Sequence, residues 1–261
     1  MSSPFAIDGP AVISFSGGRT SAYMLRRVLD EGLRPDVHVL FANTGKEREE
    51  TLSFVEEVAL RWQVNIRWLE RGYDGSPVEV FPVTASRQGE PFIRIVSQRG
   101  YTPGPVSRFC STELKTLLFD KWMRAQGYPL DWFNVVGIRA DEPRRVAKMR
   151  GGNHKRGWEI VLPLADAGIT EAQVMEFWHW NAFDLRLRSD QGNCDLCFLK
   201  SRKKLVNLIR DEPTRAAWWA TIEAEFGAFR RDRPGYQAML NQPDMFAATI
   251  TDDLTDCFCT D

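Results

Sequence analysis

Two stretches of this chain place reactive residue types at spacings that chemistry uses. The first is Ser16-Gly17-Gly18-Arg19-Thr20-Ser21, between a short apolar run and an amphipathic one. Paired glycines let backbone amides turn into a concavity, and a helix start adds partial positive charge, so phosphate is the expected guest. Ser16, Thr20 and Ser21 supply hydroxyl donors and Arg19 a cation. The loop is not a Walker loop, because the Gly-Lys-Ser/Thr ending is absent, nor a dinucleotide fingerprint, because the third glycine is missing. The second stretch is Cys194-Asp195-Leu196-Cys197, which brings two thiols onto one turn. Zinc ribbons, iron-sulfur proteins and redox dithiols all use that spacing.

The chain that must position these residues has 261 residues, 43% of them hydrophobic and 26% charged, which is ordinary globular composition. Disordered, collagen-like and coiled-coil readings fall away. No apolar run reaches the roughly 18 residues of a spanning helix and no basic-then-apolar leader opens the sequence, so no membrane role is expected. A net charge of -1 gives no global pull toward nucleic acid. The five cysteines (Cys110, Cys194, Cys197, Cys257, Cys259) are an odd number, so reduced thiols in a cytoplasmic setting are expected rather than a disulfide framework. His38, His154 and His179 are scattered without metal spacing.

Hydrophobic periodicity predicts alternating strands and helices. Strands are expected at 12–15, 36–42, 65–69 and 132–138, with an extended piece at 160–164. Helices are expected at 20–31, 47–62, 112–123, 170–180, 199–210 and 213–226. Residues 71–107 carry Gly, Pro, Ser and Arg without steady period and read as an irregular lobe. Repeated βα units imply an α/β fold with a parallel sheet and helices on both faces. The expected organisation is a nucleotide-binding α/β unit over 1–168, a mainly helical region with the Cys pair over 169–229, and an irregular acidic tail over 230–261.

Five segments in order carry a resemblance: F-S-G-G-R-T-S at 15–21, F-A-N-T-G-K-E at 41–47, R-F-C-S-T-E-L-K at 108–115, V-V-G-I-R-A-D-E at 135–142 and L-P-L-A-D at 162–166. With them the chain resembles the PP-loop superfamily of adenine-nucleotide alpha hydrolases, in its phosphoadenosine phosphosulfate (PAPS) reductase-like branch. The resemblance implies a Rossmann-like, HUP-type sheet that holds ATP or PAPS, with Mg2+, across its strand carboxyl ends. The implied nucleotide-binding positions are Ser14, Ser16, Gly17, Gly18, Thr20, Ser21, Asn43, Thr44, Gly45 and Gly137, with Arg19, Ser21, Lys115 and Arg139 stabilising developing charge. Cys110 lies in the segment that supplies cluster-binding cysteines in family members, so Cys110, Cys194 and Cys197 are the implied ligands of a 4Fe-4S cluster, with zinc or unligated redox thiols as alternatives. Cluster-binding reductases usually carry adjacent cysteines at the first site, where Phe109-Cys110-Ser111 offers one. Thr20 stands where pyrophosphatase members carry Asp.

The same resemblance extends to the nucleotide-hydrolysing enzymes of DNA phosphorothioation and tRNA thiolation. It implies an ATP pyrophosphatase that activates a nucleic acid for sulfur incorporation, with a cysteine desulfurase or another sulfur donor as partner. The alternatives are a PAPS or adenylyl-sulfate reductase attacking through Cys257 or Cys259, and a non-catalytic nucleotide-binding subunit. The tail lacks the Gly and His of the reductase signature, and carboxylates such as Asp256 beside its thiols disfavour a thiolate. Two basic runs, Arg139 to Arg156 and Lys200 to Lys204, bracket the cysteine pair and fit a DNA or tRNA partner.

Overall fold

Side chains alternate along β1 (Ala11–Phe15), and the alternation decides how the sheet is used. Ala11, Ile13 and Phe15 enter one core with α1 (Arg19–Glu31), whereas Val12 enters another on the opposite face. Ser14 shares the face of Val12 and lines an open cleft there. The computed structural model describes residues 3–152, 157–192 and 194–241.

The chain continues through β2 (Val37–Ala42), α2 (Glu49–Arg61), β3 (Ile66–Arg71), β4 (Pro77–Val80), α3 (Glu90–Arg99) and α4 (Phe109–Ser111). A π-helical turn over Thr112–Thr116 leads into α5 (Leu117–Ala125), then β5 (Trp132–Val136), α6 (Pro143–Gly151), β6 (Trp158–Val161) and α7 (Pro163–Asp166). Last come α8 (Glu171–Trp180), α9 (Arg202–Asp211), α10 (Pro213–Phe226) and α11 (Tyr236–Asn241). The six strands lie in the order β4-β3-β2-β1-β5-β6, parallel except for the antiparallel edge strand β4. Strand order therefore reverses between β1 and β5, the position at which open α/β sheets hold ligands beyond their carboxyl ends.

Helices α1, α2 and α8 cover one face of the sheet and α5 the other. A separate apolar core joins α9, α10, Phe229, Tyr236 and Met239 to α3, Phe109, Leu114 and the turn at Leu196 to Leu199. This differs from the expected organisation in two ways. Helix α8 packs in the sheet core rather than with the later helices, because Val174 and Trp178 sit against Phe54 and Phe183. Residues 236–241, expected in the irregular tail, form a helix whose Tyr236 and Met239 are buried. The stretch expected to be an irregular lobe contains β4 and α3. Pro91, Phe92, Ile95 and Val96 bury one face of α3, and left-handed Gly89 and Gly100 cap its ends. Among the described residues no helix is long and apolar enough to cross a membrane.

Candidate functional site

The phosphate loop follows β1 and is closed by its own hydroxyls. Ser21 Oγ donates to Gly18 O at 3.0 Å and accepts from Ser16 N at 3.2 Å. That donation uses its one proton, so at the 2.9 Å contact Ser16 Oγ is the donor and Ser21 Oγ the acceptor. Gly17 takes a left-handed φ of +76°, and a Cβ there would lie 2.7 Å from Thr51 Cγ2. Gly18, the N-cap of α1, has an ordinary φ of -99°. The loop is thus folded tightly onto α2 at the start of α1, where the first amides of a helix have no intrahelical acceptor.

Two concavities flank the loop. The larger, about 530 Å³, opens beyond the carboxyl ends of β1, β2 and β5. That volume suits a nucleotide-sized ligand. Ser14, Ala42, Asn134 and Val136 form its floor; Arg108, Lys115, Arg145 and Lys148 bring four cations, and no acid lines it among the described residues. An anionic guest is favoured there. The smaller concavity, about 80 Å³, is lined by Gly17, Gly18, Arg19, Thr20, Arg139 and Arg188.

Cations near the loop are partly committed. Arg19 makes a bidentate pair with Asp184, at 2.6 Å from Nε and 2.5 Å from Nη2, and donates to Leu187 O. Burial pushes the Asp184 carboxyl up, but the hydrogen bonds and charge of Arg19 outweigh it and hold the group below its ordinary value. Arg139 Nη1 donates to Thr20 Oγ1 at 3.1 Å while its Nε pairs with Asp141 at 3.0 Å. Arg19 and Arg139 are therefore fixed beside the loop rather than swinging freely into it.

The loop after β2 is held by its own hydrogen bonds. Asn43 is buried and its amide donates to Glu70 and Ser86 O, which braces the loop against the sheet. Thr44 donates through both N and Oγ1 to Glu47, at 2.9 and 2.8 Å. Gly45, with φ of +77°, lets the loop approach Gly89, whose backbone would be 3.0 Å from an added Cβ. Gly137 plays the same part between β5 and α1, where a Cβ would meet Ser21 Cα at 3.2 Å.

Cys110, Cys194 and Cys197 line a single small cavity of about 20 Å³, together with Thr44, Ser111, Lys115, Phe92 and Trp219. Two of these residues, Ser111 and Lys115, also line the large cleft. Ser111 is the N-cap of the π-helical turn and Lys115 lies within it; such a distortion turns up often at functional positions. One turn of chain is therefore the wall between the cationic cleft and the thiols.

Residues 10–79 match the phosphoadenosine phosphosulfate reductase domain family. The nin region protein ORF290 of Escherichia phage lambda is 31% identical over 219 residues, which are 77% of this chain and 70% of that protein. The chain belongs to the PAPS reductase domain family. A protein of Methanocaldococcus jannaschii is 32% identical over 145 residues, 55% of this chain and 26% of its own length. Among solved structures, the phosphate complex of phosphoadenylyl-sulfate (PAPS) reductase from Candida auris is similar with a TM-score of 0.43 at 15% identity, over 69% of this chain and 80% of that one. The U34-tRNA thiolase NcsA of Methanococcus maripaludis, with its 4Fe-4S cluster, gives a TM-score of 0.45 at 15% identity, over 96% of this chain and 79% of that one.

In this PAPS reductase-family chain the donor set around the small cavity is three thiols, which suits a soft metal centre. Among the described residues no three His, Cys, Asp or Glu side chains are grouped so as to hold a metal ion. Cys257 and Cys259 lie outside the described residues.

Several site residues were missed by sequence reasoning. Asn134 accepts a hydrogen bond on the cleft floor from Ser14, an expected nucleotide-binding position; the signal for Asn134 was an amide in the otherwise apolar run W-F-N-V-V. Arg108 and Lys148 line the cleft, but only the structure brings them together. The basic runs are thinner than their composition: Arg145 pairs with Glu142, Arg150 with Asp166, and buried Lys200 donates to Gly192 O. Arg144, Lys203 and Lys204 remain exposed, while Lys155 and Arg156 lie outside the described residues.

Proposed function

We propose that the chain is a PP-loop ATP pyrophosphatase that adenylates a nucleic acid, DNA or tRNA, and so prepares it for sulfur. The observation that carries this reading is the shared wall: Ser111 and Lys115 face the cationic cleft on one side and three cysteines on the other. In the first step an acceptor oxygen attacks the α-phosphorus, and the bond to the bridging oxygen breaks as pyrophosphate leaves. In the second a sulfur nucleophile displaces AMP. The contribution of the protein is position and charge. The first amides of α1 hold the departing phosphates, Lys115 meets developing charge from the cleft wall, and Arg139, tethered to Thr20, adds a fixed cation at the loop. Arg108 and Lys148 are placed for phosphates of a polyanionic acceptor. Mg2+ would enter with ATP. Cys110, Cys194 and Cys197 would hold a 4Fe-4S cluster, which would supply an iron with a position left for an external sulfur.

The family match over 10–79 favours a second reading, reduction of PAPS or adenylyl sulfate by a tail thiol, Cys257 or Cys259. An anaerobic preparation assayed for iron, acid-labile sulfide and zinc, then given ATP or PAPS, separates the two. AMP and pyrophosphate from ATP are expected. Sulfite from PAPS with thioredoxin would replace the first reading by the second, and nucleotide binding without turnover of either would leave a non-catalytic subunit.

A further inference from the structure

Asp195 sits between the two thiols of the Cys-x-x-Cys turn, is 1% exposed, and has partners on every side. Its Oδ1 accepts from Trp219 Nε1 at 2.8 Å and from Leu196 N at 2.8 Å. Its Oδ2 faces Lys46 Nζ at 3.2 Å and Arg215 Nη1 at 3.7 Å. Its own N–H donates to Lys46 O at 2.8 Å. Lys46 is itself 8% exposed, and its ammonium lies 4.3 Å from the centre of the Trp218 ring. One carboxylate thereby joins three elements: the thiol turn, the loop after β2, and α10. The same loop touches the turn a second time, where Thr44 Oγ1 lies 3.6 Å from Cys194 Sγ.

Packing alone does not call for a charge here. Burying an ion pair costs desolvation that a well-shaped apolar pair avoids, so the pair contributes placement more than stability. We infer that Asp195 is a positioning residue that, with Lys46, holds the Cys194–Cys197 turn against the loop after β2, so that both thiols face Cys110 over the cavity beside Lys115. This rests on reading the three cysteines as one reactive site. Its main readout, thiol labelling of the metal-free chain, does not depend on whether that site takes a cluster.

Removing one partner strands a buried charge, so single variants can fail to fold. The test therefore uses the double variant Lys46→Met/Asp195→Asn, which removes both charges, and Trp219→Phe, which removes the indole donor and keeps a smaller aromatic ring in its place. Folding is checked by circular dichroism, and labelling by a disulfide reagent is read per cysteine by mass spectrometry. In the double variant Cys194 and Cys197 should react about tenfold faster than in the wild type, as expected when a clamped segment opens locally. Trp219→Phe should accelerate the same two thiols by about two- to threefold, with Cys110 unchanged. After anaerobic reconstitution the double variant should retain under about half of the wild-type iron. Wild-type labelling rates at Cys194 and Cys197 in a folded variant overturn the inference. A wild-type chain that takes up no iron, while the variants still label faster, would remove the cluster from the proposed function and leave the positioning role standing.

Discussion

Ser14 Oγ donates a 2.6 Å hydrogen bond to Asn134 Oδ1 across the seam where β1 pairs with β5. Both residues interrupt apolar strands, and both sit where the strand order reverses. A pair of polar side chains at that seam gives the cleft a hydrogen-bonding floor in an otherwise greasy sheet. The bond also fixes which way the Asn134 amide points: with Oδ1 taken by Ser14, Nδ2 is left as a donor.

Asn134→Val should therefore weaken ATP binding by about tenfold, the loss of roughly one hydrogen bond, while leaving the fold intact. Calorimetry on a variant with an unchanged thermal midpoint checks it. Unchanged affinity would move the nucleotide away from the seam between β1 and β5.

The two loop glycines should fail differently. Gly18 has an ordinary φ, so Gly18→Val should fold normally and lose ATP binding, because the branched side chain fills the space where phosphate approaches the backbone. At Gly17 the left-handed φ of +76° and the 2.7 Å approach to Thr51 both oppose a side chain. Gly17→Ala should lose about 1–3 kcal/mol of stability as well as binding, read by denaturant titration. Equal stability of the two variants would show that the loop relaxes more than its packing suggests.

Much of the sheet was legible in the sequence because its strands are buried on both faces and its helices keep a clear 3.6-residue period. The helix at 90–99 was not, since Arg94 and Arg99 break up a short apolar face and its capping glycines read as loop. The cysteine convergence was legible only through resemblance; spacing alone cannot bring Cys110 to Cys194. Least legible was charge pairing. Arg19 looked like a ligand cation, but its partner Asp184 lies 165 residues along the chain, and no local pattern announces such a contact.

His38 gives the fold a pH dependence. Its ring packs against Trp122 and Tyr128, with centroids 5.0 and 6.2 Å away, and its Nε2 is buried without a partner among the described residues. Burial, then the charge of Arg67, pushes its pKa below the ordinary value of about 6.5. The unfolded chain consequently takes up the proton first. The stability owed to neutral His38 is complete above about pH 7 and is lost as pH falls from the ordinary value through the lowered one. His38→Phe should flatten thermal midpoints between about pH 7 and pH 5; an unchanged slope would place the titration elsewhere.

A nucleic-acid partner should reveal itself through salt. Arg108, Arg144 and Lys148 lie at or beside the cleft, and Arg139, Arg145 and Arg150 pair with Asp141, Glu142 and Asp166. Replacing the first three by Ala should lower the slope of log affinity against log salt by about two to three, at roughly 0.7–0.9 per phosphate contact. Wild-type protein that binds neither tRNA nor DNA at low salt would turn attention to a small-molecule acceptor.

The wall at Ser111 and Lys115 predicts that metal and turnover can be separated by choosing the side of the wall that is altered. Cys110→Ser, Cys194→Ser and Cys197→Ser each remove one of three thiols around one cavity, so each should lose iron and activity together. Lys115→Ala alters the shared boundary without removing a thiol. It should keep iron in the holoprotein and lose turnover by about a hundredfold, as when one preorganised charge is removed from a transition state. Deleting the chain after Thr251 removes Cys257 and Cys259; iron should survive because three thiols suffice, and pyrophosphate release should survive because no tail thiol takes part in adenylation. Loss of PAPS reduction in that deletion, from a wild type that shows it, would assign the nucleophile to the tail. Full iron in Cys110→Ser would break the link across the wall, because the thiol that stands next to the cleft would then have no part in the centre beside it.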